Sequence, residues 1–256
     1  MLYRSILQLA NIANERSSVR QRLDAYLVKA GLAPTRSQAE STIKMGDVTV
    51  NGQVIKKPGY FVGDNSTVKL AEKQRYVSRA GLKLASVAEL LRLDFRDKVV
   101  LDVGSSTGGF TDYSLRHGAS KVLAVDVGTD QLHPSLRADR RVELHEKTDI
   151  RDFIPSIALD IIVIDVSFIS LRDILPHLAK IASKETQVVA MLKPQFEAGR
   201  EQVNKGVIKN DSVRRQILKD FEVWAKQLFV IVDKRDSDVA GAKGNQERFY
   251  LLRKSR

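Results

Sequence analysis

Four unbroken apolar runs constrain the fold of this chain more than any other feature. They are Lys98–Val103, Lys121–Asp126, Asp160–Asp165 and Thr186–Leu192. Continuous Val, Ile and Leu without polar alternation is typical of strands buried on both faces of a parallel sheet. Helical stretches separate the runs, near 79–91, 110–116, 171–182 and 213–228. This alternation predicts an α/β domain with a doubly wound, mostly parallel sheet.

The N-terminal quarter has a different pattern, which begins with two short helices. An amphipathic helix over 21–30 is stopped by Gly31, a residue that readily takes the left-handed conformation at a helix end. A second helix starts at Thr35 and ends at Gly46. Thr35 and Gln38 have the spacing of a capping box, in which the hydroxyl and the amide bind free backbone N–H groups. A small α+β domain is therefore expected here.

A hairpin completes this small domain. Asn51-Gly52 lies between the β-prone segments 48–50 and 53–55, and both turn residues tolerate positive φ. A further strand near 68–70 would close a small sheet. The predicted organisation is an N-terminal extension (1–19), a small domain (20–70), a linker (71–76) and the α/β domain (77–256).

The charge of the chain indicates a polyanionic partner. The 42 Lys and Arg residues outnumber the 31 Asp and Glu residues, which gives a net charge of +11. Residues 1–75 hold 12 of these basic residues against 6 acidic ones, so this quarter carries more than half of the excess. Such an excess favours a nucleic acid as the partner.

The composition excludes several kinds of functional site. The chain has no cysteine, which excludes disulfides, thiolate catalysis and cysteine-ligated metal sites. Its four histidines lack a metal-like spacing, so no metal is expected. No apolar run approaches the ~18 residues that cross a bilayer. We therefore expect a cytoplasmic protein without obligatory membrane contact.

A glycine-rich segment, LDVGSSTGGF, follows the first apolar run. Glycines in a strand–turn–helix connection let the backbone approach a ligand and leave helix N–H groups free. The pattern is not the G-x-G-x-x-G of dinucleotide sites, although dinucleotide binding is the alternative. An acid stands two residues before the first glycine, as in methyltransferases that bind S-adenosylmethionine. The expected cofactor contacts are Asp102, Gly104, Ser105, Ser106, Thr107, Gly108, Gly109 and Phe110.

Two further acids suit a nucleoside cofactor. Asp126 ends the second apolar run, where it could bind the two ribose hydroxyls. Asp149 lies between the second and the third apolar runs, where it could accept a hydrogen bond from the adenine amine. Taken singly, each could instead be a helix cap or a solvated turn residue.

Four charged residues stand at apolar positions. Asp165 and Lys193 each end a buried run, at the carboxyl edge where α/β proteins place ligands. Glu247 shares a strand face with apolar neighbours, and Lys83 borders the apolar stripe of its helix. Burying such charges is costly unless they pair. They are either two structural ion pairs or a catalytic group beside the cofactor loop.

Several motifs, in order, resemble those of a known family. They are RLD, TRSQA and GDVTVNG, followed by YVSRAGLKL, LDVGSSTGGFTDYSL, AVDVGTDQL, IDVSFISL, LKPQFE and GNQERFYLL. The first three resemble an S4 RNA-binding domain, and the whole set resembles the hemolysin A (TlyA) family. Its catalytic domain is similar to FtsJ-type RNA 2′-O-methyltransferases, with a Rossmann-like class I fold. The extension before Arg20 lies outside the resemblance.

The resemblance implies specific residues. A Lys-Asp-Lys-Glu tetrad falls on Lys83, Asp165, Lys193 and Glu247, and S-adenosylmethionine is the implied cofactor. The S4 domain implies a basic face that contacts RNA phosphates. Its candidate residues here are Arg20, Arg22, Arg36, Lys44, Lys56 and Lys57. The implied targets are cytidine 2′-hydroxyls in small- and large-subunit ribosomal RNA, free or in ribosomal subunits.

The chemistry agrees with this assignment. A ribose hydroxyl is a poor nucleophile, so the enzyme must align it and help it lose its proton. We expect Lys193 to be the general base and Lys83 to stabilise the developing alkoxide, with Asp165 and Glu247 orienting the lysines. The lysine roles could be exchanged. Two other functions stay open, a membrane-active cytolysin and a non-catalytic RNA-binding assembly factor, and the oligomeric state is undetermined.

Overall fold

The computed structural model describes residues 20–70, 76–199, 201, 203, 206–208, 210–241 and 243–255. The chain divides into two compact units between Gln74 and Arg75. The expected N-terminal extension, 1–19, lies outside the described residues, as do 71–75 of the expected linker.

The first unit is a small α+β domain with its own core. Its helices are α1 (Leu23–Lys29) and α2 (Arg36–Met45), and its strands are β1 (Gln21–Arg22), β2 (Val48–Val50), β3 (Gln53–Val54), β4 (Phe61–Val62) and β5 (Val68–Leu70). Strand β2 pairs with β3 and β5, and β1 pairs with β4, all antiparallel. Leu23 and Leu27 of α1 pack with Ile43 of α2 and Val48 of β2. Burial of this apolar face is what joins the helices to the strands.

Local signals in this unit predicted its turns well. Gly46 ends α2 in the left-handed conformation, with φ of 85°. Asn51 and Gly52 both have positive φ and join β2 to β3 as expected. The capping box is only half formed. The Thr35 hydroxyl accepts a hydrogen bond from the Gln38 N–H at 3.2 Å, but the buried Gln38 Oε1 has no hydrogen-bond partner among the described residues.

The second unit contains a seven-stranded sheet. Its strands are β6 (Val99–Val103), β7 (Lys121–Val125), β8 (Val142–His145), β9 (Ile161–Ile164), β10 (Gln187–Leu192), β11 (Phe229–Asp236) and β12 (Arg248–Lys254). Its helices are α3 (Arg79–Ala88), α4 (Gly109–Arg116), α5 (Pro134–Arg137), α6 (Leu171–Ile181), α7 (Pro194–Glu197) and α8 (Asp211–Ala225). The four apolar runs are all strands, and the α/β prediction is confirmed.

The strand order is β11-β12-β10-β9-β6-β7-β8. Strands β10, β9, β6, β7 and β8 are parallel, and β12 is antiparallel to both β10 and β11. The chain leaves β6 toward β7 on one side and later returns to β9 on the other. This reversal opens a crevice at the carboxyl ends of β6 and β9, where open α/β sheets bind ligands.

Alternate residues of the strands face two separate core layers. Leu101 of β6 and Ile162 of β9 face the layer that contains α6 and α8. Val100 and Val163, on the same two strands, face the layer that contains α3 and α4. Because both faces are covered, the strands carry apolar residues continuously, which is the pattern seen in the sequence.

Four strands were not predicted, β1 and β4 in the small domain and β8 and β11 in the large sheet. Strand β8, with the sequence VELH, is half-buried, and β11 has alternating exposure with a bulge between Ile231 and Asp233. Both are edge strands, so neither carries the continuous apolar signature of the central strands. Among the described residues, no helix is both long enough and apolar enough to cross a membrane.

Candidate active site

The glycine-rich loop follows β6 and is held against β7. The Gly104 N–H donates to the Val125 carbonyl oxygen at 2.9 Å, and the Ser106 N–H donates to Asp126 Oδ2 at 2.8 Å. Gly104 and Gly108 have φ of 78° and 95°, in the left-handed region that favours glycine. The loop therefore turns sharply between the strand and α4.

Neighbouring protein atoms require glycine at two positions of this loop. A methyl group at Gly104 would lie 2.8 Å from the Asp165 carbonyl oxygen. One at Gly108 would strike Leu132 and Leu136. Neither Gly108 nor Gly109 is among the described residues that line the two cavities bordering this loop. A side chain at Gly104 or Gly108 would therefore collide with the protein itself.

A cavity of about 140 Å³ opens beside the loop. Its lining includes the expected cofactor residues Asp102, Gly104, Ser105, Ser106, Thr107 and Phe110. Asp102 is buried, and Thr111 donates to its Oδ2 at 2.6 Å, while Oδ1 has no hydrogen-bond partner among the described residues. Burial raises the Asp102 pKa to about 7, against a smaller lowering by the Thr111 hydrogen bond. A cationic ligand group would satisfy this oxygen.

A larger cavity of about 460 Å³ adjoins the first and shares Gly104, Ser106, Asp165 and Ser167 with it. Asp126 and Asp149 both line it, together with apolar side chains. Asp126 already accepts hydrogen bonds from the Ser106 and Gly128 N–H groups. Asp149 pairs with Arg151 at 2.6 Å, and this contact lowers its pKa to about 2. Asp149 is therefore ionised, and the hydrogen bonds and the ion pair hold both side chains in place at the cavity.

The four charged residues form two ion pairs. Lys193 Nζ lies 2.6 Å from Asp165 Oδ1, and Lys83 Nζ lies 2.6 Å from Glu247 Oε2. Asp165 and Lys193 line the smaller cavity, next to the glycine-rich loop. Lys83 and Glu247 are not among the described residues that line it. One pair therefore faces the cavity directly.

Strand pairing sets the two ion pairs beside each other. The β10–β12 ladder ends at the pair Leu192 and Arg248. Lys193 and Glu247 are the next residues along each antiparallel strand, so they extend the ladder by one position on a shared edge. Asp165 directly follows β9, the parallel neighbour of β10 on its other side. Adjacent strand ends thus bring together residues far apart in sequence.

Three residues that sequence reasoning missed, Ser167, Phe168 and Phe196, lie beside this group. Lys193 Nζ donates to Ser167 Oγ at 2.7 Å. Phe168 is 91% exposed and has φ of 65°, a conformation rare for a bulky residue. Its ring lies 5.2 Å from that of Phe196, which in turn lies 6.0 Å from Lys193 Nζ. The IDVSFISL and LKPQFE motifs contained this signal, because each places an aromatic residue three positions after a tetrad residue.

Glu197 ties the segments after β9 and β10 together. Its carboxylate accepts hydrogen bonds from the Ser170 hydroxyl and the Leu171 N–H, both at 2.6 Å. Ser170 also caps α6 by accepting from the Arg172 N–H at 3.0 Å. Burial raises the Glu197 pKa, although these hydrogen bonds partly offset the effect. The loop with Ser167 and Phe168 is therefore anchored to the segment that begins with Lys193.

Known sequence families match both units. The FtsJ-like methyltransferase profile matches residues 76–254, and the S4 domain profile matches residues 21–68. The 16S/23S rRNA (cytidine-2′-O)-methyltransferase TlyA of Mycobacterium tuberculosis is 39% identical over 241 residues, covering 91% of this chain and 90% of that protein. The chain belongs to the hemolysin A (TlyA) family.

Other similar proteins agree with this membership. Hemolysin A of Brachyspira hyodysenteriae is 39% identical over 234 residues, covering 88% of this chain and 97% of that protein. A solved structure from Streptococcus thermophilus, provisionally assigned as a hemolysin, is 42% identical with a TM-score of 0.73. It covers 92% of this chain and 89% of that one. The resemblance inferred from the motifs is confirmed, as is the methyltransferase fold with an N-terminal S4 domain.

In this TlyA-family chain, the basic S4 residues fall into two groups. Arg20, Lys56 and Lys57 are exposed, and Lys44 pairs with Glu40 at 3.4 Å. Arg22 and Arg36 instead share the buried carboxylate of Asp24. Within the described part of the chain, no group of three or more His, Asp or Glu residues could hold a metal ion.

Proposed function

We propose that this protein transfers a methyl group from S-adenosylmethionine to ribose 2′-hydroxyls of ribosomal RNA, at cytidines of the small and large subunits. The observation that carries the proposal is the Lys193–Asp165 pair facing the same cavity as the glycine-rich loop. The name of the M. tuberculosis relative supports the choice of substrate.

The residues around the two cavities fit S-adenosylmethionine. The unpartnered Asp102 Oδ1 suits a cationic group, and the cofactor carries an ammonium and a sulfonium. Gly104, Ser105, Ser106, Thr107 and Phe110 would enclose its methionine side, with Gly108 and Gly109 shaping the loop. Asp126 and Asp149 would bind the ribose and the adenine in the larger cavity. Bound there, the cofactor would supply an electrophilic methyl group.

Lys193 is the proposed general base. Its contacts with Asp165 and Ser167 fix Nζ at the cavity wall, where a hydroxyl could approach it. Lys193 would accept the ribose proton on the neutral amine form of Nζ. The two contacts hold Nζ in place during that transfer, which is the positioning that general base catalysis needs.

Lys83 and Glu247 would act as the supporting pair. Glu247 holds the Lys83 ammonium at 2.6 Å, and both side chains are nearly buried. A positive charge in such an environment stabilises a developing alkoxide more strongly than it would in water. Because Glu247 lies next to Lys193 on the sheet edge, the Lys83–Glu247 pair could also influence the electrostatic potential at the Lys193–Asp165 pair.

The substrate nucleoside would use Phe168. An exposed aromatic ring beside the cavity offers a stacking surface for an unpaired base. Phe196 supports the ring from one side, and Lys193 lies close to both segments. Stacking there would hold the ribose near the proposed base.

The S4 domain would supply most of the affinity for RNA. Arg20, Arg22, Arg36, Lys44, Lys56 and Lys57 are the proposed phosphate contacts, which would position the enzyme without reading sequence. We assign this role to residues 20–70, with a linker at 71–76 and catalysis in 77–256. An rRNA substrate, free or in ribosomal subunits, implies a cytoplasmic enzyme.

Methyl transfer by the purified protein tests the proposal. Radiolabelled S-adenosylmethionine would be incubated with ribosomal RNA and with subunits from a strain that lacks the gene. We expect label on ribose, which makes the adjoining phosphodiester resistant to alkali. Mass mapping would give the nucleotides. Label on a base, or no label with a bound cofactor, would contradict the proposal.

The same experiment separates the other functions. A non-catalytic assembly factor would bind ribosomal RNA without transferring label. A cytolysin would release the contents of lipid vesicles, and we expect none to be released. A Lys193→Ala protein serves as the control, since it should bind both ligands and transfer no label.

A further inference from the structure

Asp24 is a buried carboxylate that holds two exposed arginines of the S4 domain. Its side chain is 0% exposed, whereas those of Arg22 and Arg36 are 44% and 59% exposed. Arg22 Nη2 lies 2.6 Å from Asp24 Oδ2, and Arg36 Nη2 reaches the same oxygen at 3.2 Å. We call these three residues the arginine fork.

The fork points its remaining hydrogen-bonding groups away from Asp24. Arg22 and Arg36 each use Nε and Nη2 on the carboxylate, so Nη1 of each stays outside that contact. A methyl group at Gly59 would lie 3.1 Å from Arg22 Nη1, so glycine gives this nitrogen its room. Two guanidinium groups in fixed planes match the oxygens of a phosphate.

The net charge of the fork does not change near neutral pH. The hydrogen bond from Arg22 lowers the Asp24 pKa to about 2, so the carboxylate stays ionised. The three residues together carry one net positive charge. The buried Asp24 carboxylate needs partners for stability, yet both arginines that pair with it keep much of their side chains exposed. Two exposed guanidinium groups in fixed positions present hydrogen-bond donors to a ligand.

We infer that the arginine fork is a preorganised binding site for an RNA phosphodiester, with Asp24 as a positioning residue. The inference rests on the proposed RNA substrate. Ordering a long side chain on binding normally costs affinity. Asp24 orders both arginines before RNA arrives, so a negatively charged residue strengthens the binding of a polyanion.

Asp24→Asn gives the decisive test, because charge attraction and loss of the fork predict opposite changes in RNA affinity. The substitution adds one positive charge, so simple attraction predicts tighter RNA binding. Loss of the fork predicts binding about tenfold weaker, since two arginines must then be ordered on binding. Binding of the full chain to purified ribosomal RNA would be measured over a series of KCl concentrations. Affinity equal to or above that of the parent, in a folded protein, overturns the inference.

Two arginine variants cover the case in which Asp24→Asn fails to fold. Arg36→Lys keeps the charge but cannot bind carboxylate and phosphate together, so affinity should fall several-fold. Arg96→Lys is the matched control, because Arg96 also pairs with an aspartate, Asp94 at 2.7 Å, but lies outside the proposed RNA-binding residues, and it should change affinity less than twofold. Equal effects at the two positions would refute the fork. Methyl transfer is assayed separately, and its absence in the parent would count against the proposed function. The RNA affinities of the parent and the variants would still test the fork.

Discussion

Lys193 is held by a carboxylate and a hydroxyl, and these contacts decide what its replacement should do. Lys193→Ala removes the proposed base and leaves the glycine-rich loop untouched. We expect methyl transfer to fall by about 10²- to 10⁴-fold, the usual contribution of a general base. Lys193→Arg should also fail, because guanidinium does not give up its proton near neutral pH. Single-turnover transfer of radiolabel to ribosomal RNA measures both effects.

The control for this prediction is the protein's stability. If the tetrad were only two structural ion pairs, activity and thermal stability would fall together. On the catalytic interpretation, Lys193→Ala keeps its cofactor affinity and unfolds near the parent temperature. Glu247→Gln keeps the shape but loses the charge that holds Lys83, so its loss should be smaller. Full activity in folded Lys193→Ala would remove this mechanism.

We expect Asp102 to make both the free energy of unfolding and the cofactor affinity depend on pH. Its folded pKa is about 7 against an ordinary value of 3.8. Between these values the unfolded chain is ionised while the folded protein binds a proton, so this group lowers the unfolding free energy as pH rises. Asp102→Asn should therefore gain stability relative to the parent between about pH 5 and about pH 8. Thermal unfolding at each pH measures the difference.

Cofactor affinity should move in the other direction. A cationic ligand binds the ionised Asp102, so the parent should bind S-adenosylmethionine more tightly as pH rises through about 7. Asp102→Asn should lack this dependence and bind more weakly at high pH. Calorimetry would measure the affinity of both proteins at each pH. Protonation of the ligand itself affects both proteins equally, so it drops out of the comparison. Parallel curves for the two proteins would show that Asp102 does not contact the cofactor.

At the scale of elements, the segments after β9 and β10 act as one unit because Glu197 joins them. Glu197→Ala removes the acceptor for the Ser170 hydroxyl and the Leu171 N–H. The loop with Ser167 and Phe168 should then lose its fixed position. We expect about a 10- to 100-fold loss of methyl transfer, because misplacement of reacting groups lowers the rate steeply. Cofactor affinity should change little.

Two variants qualify this prediction. Glu197→Gln keeps an oxygen for the Leu171 N–H and should recover much of the activity. Glu185→Gln, at an exposed position shortly after α6, should behave as the parent. A purely structural role would lower stability without changing the ratio of kcat to KM for RNA. Unchanged transfer in Glu197→Ala would mean that the loop needs no anchor.

At the scale of the whole molecule, each unit has its own core. The S4 core around Leu23 and Ile43 shares no residue with the two layers of the methyltransferase unit. Removal of residues 1–70 should therefore leave cofactor affinity within about threefold of the parent, while methylation of ribosomal RNA falls below detection. The intact protein should bind RNA with a log–log salt slope near −0.7 to −0.9 per phosphate contacted. Equal methylation by the truncated protein would contradict this division of roles.

Much of the fold was predictable because its signals are local. The continuous apolar runs at β6, β7, β9 and β10 indicate burial on both faces, and Asn51-Gly52 fixes a hairpin through backbone sterics alone. The edge strands β8 and β11 were missed because their exposure is mixed. The prediction of a capping box at Thr35 was half correct. The spacing allows the Gln38 side chain to reach back to the helix start but cannot guarantee that it forms this hydrogen bond.

The sequence alone determined the class of the fold, the position of the glycine-rich loop and the identity of the four charged residues. Only the tertiary structure decided their partners. Lys193 meets Asp165, and Lys83 meets Glu247, because the order and register of β9, β10 and β12 bring distant residues to one edge. The same holds for Glu197 with Ser170 and for Arg36 with Asp24. Periodicity depends on neighbours along the chain, whereas pairing depends on which elements pack together.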